Sequence, residues 1–136
     1  GGVVEAILQD GIVAIFNAPE KQKDPELRSV SVAVEIMQLI ADLTRKRRSE
    51  GKEVISLRIG IGLDSLPFSS DNEIPDGIKD VVDKVRSICN KSDNWKILVS
   101  GEFYKSIKEY VEVKEEKVSN SSYFSIVGVE EGVVNL

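Results

Sequence analysis

Histidine is absent from this sequence, and Cys89 is the one cysteine. Without imidazole, His-ligated metal sites and His-activated nucleophiles are excluded, so carboxylates, lysines and backbone groups must carry any chemistry. A single cysteine forms no internal disulfide. Cys89 sits among apolar residues at helical spacing and is expected to be a buried free thiol. No apolar run approaches the roughly 20 residues that span a bilayer. No signal peptide opens the chain, and the expectation is a reduced, cytoplasmic protein with no membrane contact from this segment. An excess of positive charge is missing too: the net charge is -5. Phosphate backbones want a basic face, so nucleic acid is not an expected partner.

What is present is ordinary for one globular domain of 136 residues, with 41% hydrophobic and 30% charged residues. Val3 to Leu8 reads as a buried strand, Gln9-Asp10-Gly11 as a tight turn, and Ile12 to Phe16 as the return strand. Asp24 is placed to cap a long helix, with Pro25 at its first position and Glu26 in its first turn. Leu27, Val30, Val34, Met37 and Ala41 recur at helical spacing; Val32, Ile36, Leu39, Ile40 and Leu43 widen that stripe, and the whole face is expected to be core. Arg45 to Arg48 give the helix a cationic end that suits its dipole, and Gly51 is placed to stop it.

Val54 to Leu63 reads as a strand with Leu57, Ile59, Ile61 and Leu63 on one face and Arg58, Gly60, Gly62 and Asp64 on the other. Two glycines on one face admit either close packing or a ligand. A polar, turn-rich stretch from Leu66 to Pro75 precedes a helix over about Asp76 to Asn90. Lys96 to Val99 is a short strand, Ser100 caps a helix over Gly101 to Glu109, and Val111 to Lys117 and Tyr123 to Val129 close the chain as an antiparallel pair. The order β-β-α-β-α-β-α-β-β predicts an α/β (α+β) sandwich: a mixed, ferredoxin-like sheet covered by helices.

Four stretches, in order along nearly the whole chain, resemble the class III adenylate and guanylate (nucleotidyl) cyclases. They are GGVVEAILQDGIVAIFNAP, the helix start Asp24 to Val30, LRIGIGLDS from Leu57 to Ser65, and KILVSGEFYKSI from Lys96 to Ile107. The resemblance implies the nucleotidyl cyclase fold. Its chemistry would be cyclisation of ATP or GTP to the 3′,5′-cyclic nucleotide with release of pyrophosphate, using Mg²⁺ or Mn²⁺. It further implies a site formed between two such domains, in a homodimer or with a related cyclase domain, and adjoining sensor domains in signal transduction.

Carried over residue by residue, the resemblance gives Asp10 as a metal ligand, Asp80 and Lys84 at the helix positions that support ribose and transition state, and Lys117 as the phosphate-binding lysine. Each has a plainer reading. Asp10 is also what a hairpin turn prefers, Lys84 is also a solvated helix residue, and Lys117 is also a strand-edge charge. An alternative helix register puts Arg86 at the cation position but leaves Val82 where the family has asparagine. Ala6 stands where the purine is read, Glu5 next to it would serve only after a bulge, and Asp64 stands where the family has histidine. The family's first metal-binding strand would precede Gly1, so the expectation is a single domain over 1–136, incomplete at its N-terminus.

Two readings follow. One is a cyclase homology domain, impaired or inactive as this chain stands, with no cofactor. The other is an active cyclase completed by a further strand or a partner domain, binding a nucleoside triphosphate and Mg²⁺ or Mn²⁺. A relative of the diguanylate cyclases is a third, but no acidic pair follows Gly1-Gly2.

Overall fold

The computed structural model describes residues 3–8, 11–15, 24–63, 78–118 and 120–130. Strands β1 (Val3–Leu8) and β2 (Gly11–Ile15) form an antiparallel ladder. Leu8 pairs with Gly11, so Gly11, expected in the turn, begins the return strand, and Gln9 and Asp10 lie outside the described residues. The register slips between Val4 and Ala6, which leaves Glu5 as the extra residue of a bulge.

Helix α1 (Pro25–Ser49) follows. Pro25 starts it as expected, because a proline at the first position forfeits an N–H that has no partner there anyway. The expected side-chain cap is corrected: Asp24 has φ 50° and makes no capping bond through its side chain. Its carbonyl instead accepts the first helical bond from Arg28 N–H, at 3.0 Å. Gly51 ends the helix in the left-handed region at φ 71°. Its N–H donates to the Arg48 carbonyl and that of Lys52 to the Arg47 carbonyl, the paired bonds of a Schellman turn.

Strand β3 (Ile59–Ile61) is shorter than the expected Val54 to Leu63. The carbonyls ahead of it are taken by other groups. Thr44 Oγ1 donates to the Ile55 carbonyl at 2.8 Å, Arg47 Nε to that of Glu53, and Trp95 N–H to that of Leu57 at 2.6 Å. A segment tied to a helix end in this way does not run on as a ladder.

Helix α2 (Ile78–Lys91), strand β4 (Ile97–Ser100), helix α3 (Gly101–Ile107) and strands β5 (Val111–Val118) and β6 (Ser121–Val129) complete the described chain. Ser100 caps α3 as expected, its Oγ accepting from Phe103 N–H at 3.2 Å. The sheet order is β3-β4-β6-β5, with β3 and β4 parallel and the other pairs antiparallel. That mixed sheet agrees with the α+β expectation.

Alternation along the strands sorts the layers. Ile59, Ile61, Ile97, Val99, Phe124 and Ile126 share one face and pack with Val30 and Ala33 of α1 and with Phe103 and Ile107 of α3. The opposite face carries Gly60 and Gly62 under α2. A Cβ on Gly60 would lie 2.7 Å from the Cys89 Cα, and one on Gly62 would lie 2.9 Å from Ile88 Cδ1. The glycines therefore admit a helix backbone, which decides between the two expectations for them. Cys89, expected to be buried, is half-buried, its thiol 3.5 Å from the Arg58 carbonyl.

The expected core face of α1 also needs correction. Val30 and Ala33 are buried, and Leu27, Val34 and Met37 pack on the core, but Ile36, Leu39 and Leu43 are exposed, Leu39 by 60%. At 3.6 residues per turn Ile36, Leu39 and Leu43 lie on the side of the helix away from Val30, Ala33 and Met37, so that edge of the stripe stays in water.

Candidate functional site

Of the residues singled out from sequence, Asp80 and Lys84 lie on α2 and Lys117 on β5. Asp10 lies outside the described residues, between the paired ends Leu8 and Gly11. Asp80 is in the first turn of α2 and exposed, and its carboxylate suits the positive end of the helix dipole. Lys84 follows one turn later. Its Nζ donates to the Leu63 carbonyl at 2.9 Å, just beyond β3, and stands 4.0 Å from the Glu102 carboxylate in the first turn of α3. Lys84 thus ties α2 to the end of β3 and to α3.

Glu102 and the Leu63 carbonyl are partners that sequence reasoning missed. The available signal was positional: the residues just after parallel strands β3 and β4 come to the same end of the sheet, so a lysine on the intervening helix can reach both. Arg86, the cation of the alternative register, is exposed, while Val82 beside it is half-buried. The register that puts Asp80 and Lys84 outward agrees with Val81, Val82, Val85 and Ile88 turning inward.

Lys117 is exposed on β5, the edge strand, opposite Ser122. Strands β4 and β6 lie between β5 and β3, so Lys117 is not brought beside the Lys84 joint through the sheet. Its surroundings are those of an edge strand guarded by charge: Glu112, Lys114, Glu115 and Lys117 are all exposed. Lys96, just before β4, reaches across to Glu116 at 2.5 Å and to Asp93 at 3.5 Å. The hydrogen bond to Glu116 is the main cause holding its ammonium above the ordinary lysine range.

No group of three or more carboxylates or thiols among the described residues could hold a metal ion. Asp10, the metal ligand the resemblance implies, lies outside those residues. No described helix is long and apolar enough to cross a membrane.

No family model matches the sequence, and no curated protein matches it either. Solved structures do. The chain is similar to the guanylyl cyclase Cya2, with 20% identity and a TM-score of 0.74, over 96% of this chain and 72% of that one. The adenylyl cyclase CyaB from P. aeruginosa is 18% identical with a TM-score of 0.74, over 96% and 74% of the two chains. The guanylate cyclase domain of RhGC from Catenaria anguillulae, solved in complex with GTP, is 17% identical with a TM-score of 0.72, over 95% and 74%. At such identities the shared property is the fold, and chemistry has to be argued from the site. The chain has the class III nucleotidyl cyclase catalytic-domain fold.

Proposed function

We propose that this chain is a cyclase homology domain of cyclic-nucleotide signalling, and that as it stands it does not itself carry out the cyclisation. The observation that carries this reading is the engagement of Lys84. A cation that stabilises charge developing on a triphosphate has to face that charge without another partner competing for it. The Lys84 ammonium instead bonds the Leu63 carbonyl and stands by Glu102. Lysine also lacks the planar fork by which arginine grips two oxygens.

Asp80 supports the same reading. A carboxylate accepts hydrogen bonds but does not donate them, and its charge repels a triphosphate. Lys117 on the edge strand serves solubility in this reading rather than phosphate binding. Incubation with ATP or GTP and Mn²⁺ is expected to give no cyclic product above the protein-free blank. Product that disappears in Asp10→Ala would overturn the proposal.

The second reading, an active cyclase, draws on the likeness to structures solved with GTP and with ATPαS. In it, Mg²⁺ or Mn²⁺ sits at Asp10 and a second copy or a related domain completes the site; one similar guanylyl cyclase domain is dimeric. Lys84→Met separates the two. It leaves nucleotide binding unchanged if Lys84 only joins elements, and abolishes product formation if it faces the phosphates.

A further inference from the structure

Away from the Lys84 joint, an apolar groove of about 320 Å³ opens between α1 and the sheet. Met37 and Ala41 form its helical wall, Ile97 and Val129 its floor, and Trp95 and Val127 its rim. The rim is well exposed, Trp95 by 41% and Val127 by 64%. Trp95 holds its place with φ 67°, a left-handed backbone that a bulky side chain rarely takes, pinned by its N–H bond to the Leu57 carbonyl.

A second cleft, of about 350 Å³, adjoins the groove and shares Gly128 and Val129 with it. Glu109, Glu112 and Glu130 line it. The Glu112 carboxylate lies directly over Gly128, where a Cβ would meet its Oε2 at 3.4 Å. No ion pair joins any of these three carboxylates to a described residue, and together they bring negative charge to one end of an apolar trough.

We infer that this groove docks an amphipathic helix whose apolar face fills the trough and whose lysine or arginine flank meets Glu109, Glu112 and Glu130. Charge complementarity selects that occupant. An acidic or nucleic-acid partner is repelled by the carboxylates, and a purely polar one leaves Trp95 and Val127 in water. An elongated trough beside a helix suits the helix-in-groove mode, in which side chains one turn apart serve as anchors. An aromatic rim residue already fixed in place is the kind of group on which binding energy concentrates. The inference does not depend on whether the chain cyclises nucleotides.

Trp95 is the only tryptophan, so its fluorescence reports on the groove alone. The intact chain is titrated with a synthetic leucine-lysine peptide designed as an amphipathic helix. A scrambled peptide of equal charge and composition, with no apolar face, serves as comparison. The expected result is a saturable blue shift with the amphipathic peptide and none with the scrambled one. Glu109→Gln, Glu112→Gln and Glu130→Gln together are expected to weaken binding about tenfold, as three rim ion pairs would. Val127→Asp, at an exposed position that leaves the core intact, is expected to weaken it as well.

An equal shift from the scrambled peptide overturns the proposal, as does wild-type affinity in both variants. It is overturned too if the shift appears only on raising the protein concentration, which assigns the groove to a second copy. A shift produced by anionic phosphatidylserine vesicles but not by the peptide overturns it in favour of a lipid surface.

Discussion

Among the described residues, three that are not glycine hold left-handed backbones: Asp24, Trp95 and Asn120. Asn120 is the easiest to understand. It lies in the turn between Val118 and Ser121, the last pair of the β5–β6 ladder, and asparagine tolerates positive φ better than other side chains. Asn120→Val is expected to destabilise the domain by about 1–2 kcal/mol, because a β-branched side chain crowds the following carbonyl there. Asn120→Gly should be near neutral; urea unfolding of both variants checks it. Trp95 is costlier, at about 1–3 kcal/mol for a bulky residue in that region, and is kept there by its bond to Leu57 and by the strand that starts beside it.

Lys96 is where a single residue couples stability to pH. Its pKa is raised, chiefly by the hydrogen bond to Glu116. A lysine raised on folding stabilises the native state below its ordinary pKa, and that contribution is lost as pH rises through the folded value. The stability it adds is therefore present at neutral pH and disappears above about pH 10.5. Lys96→Met should lower the melting temperature at pH 8 while flattening the alkaline limb of its pH profile. An unchanged alkaline limb would show that Lys96 is not the group that titrates there.

Among the elements, α2 and β3 depend on each other most closely. A methyl group on Gly60 would fall 2.7 Å from the Cys89 Cα, and backbone cannot step aside as a side-chain tip can. Gly60→Ala is expected to cost at least about 1–3 kcal/mol, the usual penalty of overpacking. Gly62→Ala meets the flexible end of Ile88 instead and should cost less. Denaturant midpoints of the two variants measure the difference. Thr44, buried on α1, tests the other tether. Thr44→Val leaves the Ile55 carbonyl without its donor, for about 1–3 kcal/mol, and should free the segment ahead of β3 to faster amide exchange.

These elements differ in how far their sequence foretells them. The Ser100 cap and the Gly51 stop are local chemistry, and each stands where its residues place it. Strand β3 is foretold too long and the core stripe of α1 too wide. Periodicity reports which residues share a face, not whether a neighbour covers that face or whether a strand's carbonyls are already bonded elsewhere.

At the scale of the whole molecule, the same separation governs the candidate site. Asp80, Lys84 and Lys117 were legible as positions, yet their surroundings were not. The Leu63 carbonyl and Glu102, which occupy Lys84, come from the far ends of two other elements. If Lys84 is a joint between elements and not a catalytic cation, Lys84→Met loses no more than about 1 kcal/mol, as exposed ion pairs do. Thermal unfolding with and without GTP and Mn²⁺ then gives the same difference between variant and wild type.

The sequence by itself determined the order of the elements, the mixed character of the sheet and the family whose fold it shares. The first two depend on apolar spacing, turn residues and caps, which act within a few positions of one another, and the family came from the resemblance of four stretches along the chain. Only the tertiary structure decided that Gly60 and Gly62 face a helix, that Lys84 is held by groups of two other segments, and that Trp95 rims an apolar groove beside three carboxylates that form no ion pair among the described residues. Those are contacts between residues far apart in the chain, and no local pattern encodes which distant atom will fill a given space.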